Sequence, residues 1–176
     1  MTTRQTVLIC AALVLLCPAA ASFGPPVKTD YDRNIDFTRY KTYSWERVQA
    51  QDRLWVDRIK AAIDKDLSSK GWTWATSGGD VAFVALEVTR NQATLDTFYS
   101  GYGGGWRWRG FGDATMTVET YKVGSLVVDL FDGQTKMLIW RGSSSDTLSD
   151  KSDKNIKTLN KAVQKMFEHF PPSEKK

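Results

Sequence analysis

The segment Val81-Ala82-Phe83-Val84-Ala85-Leu86 contains no polar residue, and this constrains the chain more than any other feature. Successive side chains of a strand leave opposite faces, so a strand without a polar face must be covered on both sides. Such a strand belongs at the centre of a sheet. We expect it from Val81 to Thr89, opened by Asp80, and read the remainder of the chain as what surrounds it.

Ahead of it, Val27 to Tyr31 reads as a short strand, and Tyr40 to Trp45 alternates aromatic and polar residues as a second. From Asp52 to Ser69 the period becomes helical. Trp55, Ile59, Ala62, Ile63 and Leu67 form one stripe, while Asp57, Lys60, Asp64 and Lys65 lie off it. Gly71 is a natural stop for this helix. Beyond the central strand, three more are expected at hairpin spacing: Thr115 to Val123, Leu126 to Phe131 and Lys136 to Gly142. Gly124 and Asp132-Gly133 mark the turns between them. Ile156, Leu159, Val163, Met166, Phe167 and Phe170 form the stripe of a last helix, capped by Asp150 or Ser152 and ended by Pro171-Pro172. Strands and helices that are segregated in this way predict an α+β fold, an antiparallel sheet with two helices packed on one face.

The N-terminus carries an address. Arg4 is the only charge before Lys28, Val7 to Cys17 is unbroken apolar sequence, and Ala19-Ala20-Ala21 follows Pro18. This is the pattern of a secretory signal peptide, too short for a spanning helix. We expect residues 1–21 to be removed, 22–28 to be a linker, 29–172 to form a single domain and 173–176 to be a charged tail. No transmembrane helix remains after processing. Both cysteines, Cys10 and Cys17, lie in the removed segment, so the mature chain has no disulfide and no thiolate. Acylation needs a small residue before the cysteine; Leu16 precedes Cys17 and Ile9 precedes Cys10, which argues against a lipid anchor.

The order and spacing of four stretches resemble a bacterial family, domain of unknown function 4136 (DUF4136). They are Asp30 to Trp45 (DYDRNIDFTRYKTYSW), Gly71-Trp72 after the first helix, Thr120 to Gly142 (TYKVGSLVVDLFDGQTKMLIWRG), and Phe170-Pro171-Pro172. The resemblance spans nearly the whole mature chain. It implies an exported envelope protein of a Gram-negative bacterium and hence a periplasmic location. The family has no assigned activity to carry over. The missing acylation cysteine sets this chain apart from lipoprotein members.

Chemistry is marked mostly by absence. His169 is the only histidine, and its place at the end of a helix suits a dipole-facing role better than catalysis. There is no nucleophile elbow, Ser-x-x-Lys pair or phosphate loop. We therefore assign no catalytic, cofactor-binding or metal residue and expect no cofactor. The net charge of +4 comes without a run of five like charges, so nucleic acid is not an expected partner. Asp129, Asp132, Asp146, Asp150 and Asp153 are read first as turn and cap formers, and second as acid–base or calcium candidates.

One stretch invites a sharper reading. Between Ser100 and Gly112, six of thirteen residues are glycine, and Tyr102, Trp106, Trp108 and Phe111 alternate with Arg107 and Arg109. Exposed aromatics beside cations stack on sugars, settle at a lipid boundary or dock on a protein. The plainer alternative is a long loop folded back over the sheet. The expected function is thus a non-catalytic periplasmic domain that binds or scaffolds an envelope component: peptidoglycan, a lipid surface or a protein. Two alternatives stand beside it. A carboxylate-dependent glycan hydrolase needs two facing carboxylates, and a small-ligand carrier needs a sizeable apolar pocket between helices and sheet.

Overall fold

The computed structural model describes residues 25–50, 52–87, 124–145 and 151–172. Six strands make one sheet: β1 (Val27–Tyr31), β2 (Thr42–Gln49), β3 (Thr73–Trp74), β4 (Val81–Glu87), β5 (Ser125–Asp132) and β6 (Leu138–Ser145). Two helices complete the α+β body, α1 (Arg53–Ser69) and α2 (Ser152–Met166). The expected strand Thr115 to Val123 lies outside the described residues.

The helices form where the apolar stripes placed them. Asp52 caps α1 by accepting from Trp55 N at 3.0 Å, Ile59, Ile63 and Leu67 are buried, and Gly71 follows with φ +80°. In α2, Leu159, Ala162, Val163 and Met166 are buried. Its start differs from expectation. Lys151 occupies the cap position, where its side chain makes no capping hydrogen bond, and Ser152 is already helical. Asp150 lies outside the described residues.

The strands run in the order β1-β6-β5-β4-β2-β3. The sheet is mixed, which corrects the expected antiparallel one. β1, β6, β5 and β4 pair antiparallel, whereas β2 runs parallel to both β4 and β3. The cause is α1. A parallel neighbour requires a crossover of a dozen or more residues, and the 17-residue helix between β2 and β3 provides it. Hairpin spacing in the C-terminal half carries no trace of this early crossover.

β4 and β5 are buried at every position, as a doubly covered centre requires. On the helix side, Phe83, Val128, Leu130, Trp140 and Phe167 join the three buried residues of α1 in one core. Phe170 is its hub: Trp72, Phe167, Trp140 and Phe37 surround it at ring distances of 5.2, 5.3, 5.4 and 6.2 Å. Gly142 lets β6 lie against α2, since a Cβ there would collide with Met166 and the Trp140 ring.

Candidate functional site

Three polar clusters and three clefts offer chemistry on the described surface. The first cluster gathers on Asp132 at the end of β5. Its Oδ1 accepts from Gln134 N (2.9 Å), Thr135 N (2.7 Å) and Thr135 Oγ1 (3.1 Å). Its Oδ2 accepts from Tyr40 Oη (2.7 Å) and Arg39 Nη2 (2.8 Å), and Arg39 also donates to Tyr40 Oη. Burial opposes ionisation of Asp132, but the bonds from Thr135, Tyr40 and Gln134 outweigh it and hold its pKa at about 2. Burial of the Tyr40 hydroxyl, helped by Asp132, raises that group to about 12. Near neutral pH the acid stays ionised and the phenol stays protonated, so the pair makes a joint, not a proton relay.

The second cluster lies on the opposite face of the sheet. Asp129 is 1% exposed and takes both arms of Arg141, Nε to Oδ1 at 2.6 Å and Nη2 to Oδ2 at 2.7 Å. The two are register partners across the β5–β6 hairpin. Such a fork-on-fork pair fixes both side chains. The third cluster is Asp64 on α1, which accepts from Tyr43 Oη (2.7 Å) and Trp45 Nε1 (2.9 Å) and so ties the helix to β2. Burial, with Asp64 beside it, drives the Tyr43 hydroxyl far above the usual phenol range.

The clefts differ in size and in how far they open to solvent. An apolar pocket between α1, α2 and the ends of β4 to β6 holds about 50 Å³, with Trp55, Ile59, Leu126 and Leu159 in its wall and Glu87 and Asn155 as polar members. This is room for a few waters, far below the roughly 300 Å³ of a site for an organic ligand. A shallow groove of about 510 Å³ runs between α1 and α2, open to solvent. Asp66 lies along it with Oδ2 shielded and unbonded; burial raises this carboxyl, and Lys70 only partly offsets the effect. A third cleft, of about 390 Å³, lies beside β1 and the end of α2 and includes exposed His169 in its wall.

The sequence-based candidates fall unevenly on this surface. Asp129 and Asp132 are three apart on one strand and leave opposite faces, so they cannot face each other across a bond. Asp153 lies in the first turn of α2, where its charge suits the helix N-terminus. Tyr102, Trp106, Arg107, Trp108, Arg109 and Phe111, with Asp146 and Asp150, lie outside the described residues. Sequence reasoning missed Arg141 as the partner of Asp129, although a tight hairpin makes residues near 129 and 141 natural neighbours. It also missed Arg39 and Tyr40, whose approach to Asp132 spans more than ninety residues and leaves no local signal. Among the described residues, no cluster of His, Cys, Asp and Glu suits a metal ion, and no helix is long and apolar enough to cross a membrane.

Comparison with known proteins extends the picture. The family model described as "Domain of unknown function (DUF4136)" matches residues 27–172. Among curated proteins, no sequence matches the chain. A crystal structure of a DUF4136 family protein from Bacteroides thetaiotaomicron is similar with TM-score 0.60 and 15% identity, covering 84% of this chain and 96% of that one. A PDZ domain protein from Parabacteroides distasonis is similar with TM-score 0.57 and 16% identity, covering 86% of this chain but 36% of that one. At these identities the likeness shows the fold alone.

Proposed function

This chain belongs to the DUF4136 family, and from that membership we propose that it is an exported, non-catalytic envelope domain that binds or scaffolds through its outer surface. One observation carries the reading: the three carboxylates that anchor the polar clusters, Asp129, Asp132 and Asp64, each direct their bonds to neighbours within the described body. Asp129 is held by Arg141, Asp132 by Tyr40, Arg39 and Thr135, and Asp64 by Tyr43 and Trp45. An acid, base or nucleophile needs spare valence and a substrate-sized hollow beside it. These carboxylates offer neither, which weighs against the glycan hydrolase. The 50 Å³ pocket gives no support to the carrier.

The signal-like residues 1–21 support export to the periplasm, and Leu16 before Cys17 supports a form without a lipid anchor. In this proposal the contact surface is the stretch holding Tyr102, Trp106, Arg107, Trp108, Arg109 and Phe111, whose rings and guanidiniums suit a glycan, headgroup or protein face. The test replaces Trp106 and Trp108 together by Ala and compares crosslinked envelope pull-downs. Loss of envelope association with unchanged circular dichroism is the expected result. Undiminished association would remove this stretch from the proposal.

A further inference from the structure

The outer edge of β1 has a pattern that recognises itself. Among the described residues, β1 has β6 on one side and no strand on the other. Ser145 N donates to Pro26 O at 3.3 Å, and Asp32 N donates to Ile139 O at 2.9 Å. Bonded positions alternate along an antiparallel ladder, so Lys28 and Asp30 also turn their backbone groups toward β6. Val27, Thr29 and Tyr31 turn theirs outward. Consistent with this, Tyr31 N is satisfied by the neighbouring Asp30 Oδ1 at 2.9 Å. Lys28, Thr29 and Asp30 are all exposed.

We propose that β1 is a docking edge for a second copy of this chain, paired antiparallel with the two-fold axis at Thr29. In that register Val27 meets Tyr31 of the other copy, Thr29 meets Thr29, and Lys28 meets Asp30 on both sides of the axis. Lys28 and Asp30 then occupy the non-hydrogen-bonded positions, where side chains across a ladder stand closest. The neighbouring registers bring lysine onto lysine or aspartate onto aspartate. Like charges directly opposite are unfavourable, so one alignment is selected. Charges on an edge strand usually prevent pairing. Here the two signs, two residues apart, oppose other strands and accommodate this one.

The surroundings continue the pattern on both faces. Away from the helices, Asp30 is the register partner of Arg141, itself paired with Asp129. The row Asp129, Arg141, Asp30 alternates in sign, and Lys28 of the second copy extends the alternation. Toward the helices, Val27 and Tyr31 border the 390 Å³ cleft floored by Trp140 and Met166, which the opposing Tyr31 and Val27 would help to close. Pro25 and Pro26 lack an N–H and confine the pairing to the five residues of β1.

The experiment is sedimentation velocity of the purified protein over a concentration series, with charge-reversed variants. The wild type dimerises with rising concentration. Lys28→Asp and Asp30→Lys each weaken self-association about tenfold or more, with unchanged circular dichroism. An equimolar mixture of the two recovers the dimer, because each lysine again meets an aspartate. A monomeric wild type at every concentration, single variants that dimerise undiminished, or a mixture that stays monomeric overturns the proposal.

Discussion

Asp132 and Asp66 are both shielded carboxylates, and they oppose each other in their effect on stability. Asp132 is surrounded by donors, and its pKa lies near 2 rather than 3.8. Its contribution is therefore complete above about pH 4 and is lost as pH falls toward 2, a change of about 2 kcal/mol. Asp66 has a shielded oxygen with no donor and a raised pKa. Its folded state prefers the proton, so the contribution is complete below about pH 4 and is lost as pH rises through the folded value. Urea midpoints across pH separate the two. Asp132→Asn should lower stability at neutral pH and flatten the fall below pH 4, whereas Asp66→Asn should raise stability at neutral pH and leave it unchanged at pH 3. Nothing in the sequence around these residues distinguishes them. Asp132 precedes a glycine and reads as a turn former, and its decisive partner Tyr40 arrives from 92 positions away.

Elements were legible where periodicity speaks and obscure where geometry does. The stripes of α1 and α2 and the doubly apolar β4 formed as expected, because burial of one face or two writes itself into spacing. Asp132-Gly133 does mark a hairpin, but its glycine serves another purpose. Lys136 takes the positive φ of 59°, while Gly133 packs where a Cβ would strike the backbone of Gly79 and Asp80. Its N–H donates to Asp80 O at 2.8 Å, so the β5–β6 turn is stapled to the start of β4. Gly142 makes the analogous approach between β6 and α2. Replacing it with Ala should cost about 1 to 3 kcal/mol by overpacking against Met166 and Trp140, read as a lowered urea midpoint with unchanged secondary structure. A midpoint equal to wild type would mean that α2 yields without strain.

The four stretches that carry the family resemblance lie far apart in sequence, yet Phe37, Trp72, Trp140 and Phe170, one from each, meet around a single ring. Each stretch thus contributes a ring to the shared core, so part of the resemblance is a packing signature. Phe170→Ala should destabilise the whole molecule by about 3 to 5 kcal/mol in a single cooperative transition, measured by chemical denaturation. An intact β1–β6 half persisting beyond that transition would contradict one shared core. The stretch from Ser100 to Gly112 lies outside the described residues, and its glycine-rich sequence carries no period; the contact of Asp132 with Arg39 and Tyr40 depends on distant parts of the chain and left no local signal either. One consequence of the strand order concerns delivery. The first strand of the sheet is held by the last, with Val27 opposite Ser144. A chain threaded through a narrow channel with its N-terminus leading has β1 waiting, unpartnered, until more than a hundred further residues have emerged. Its completion therefore belongs to the final moments of assembly, and any truncation short of β6 strands it.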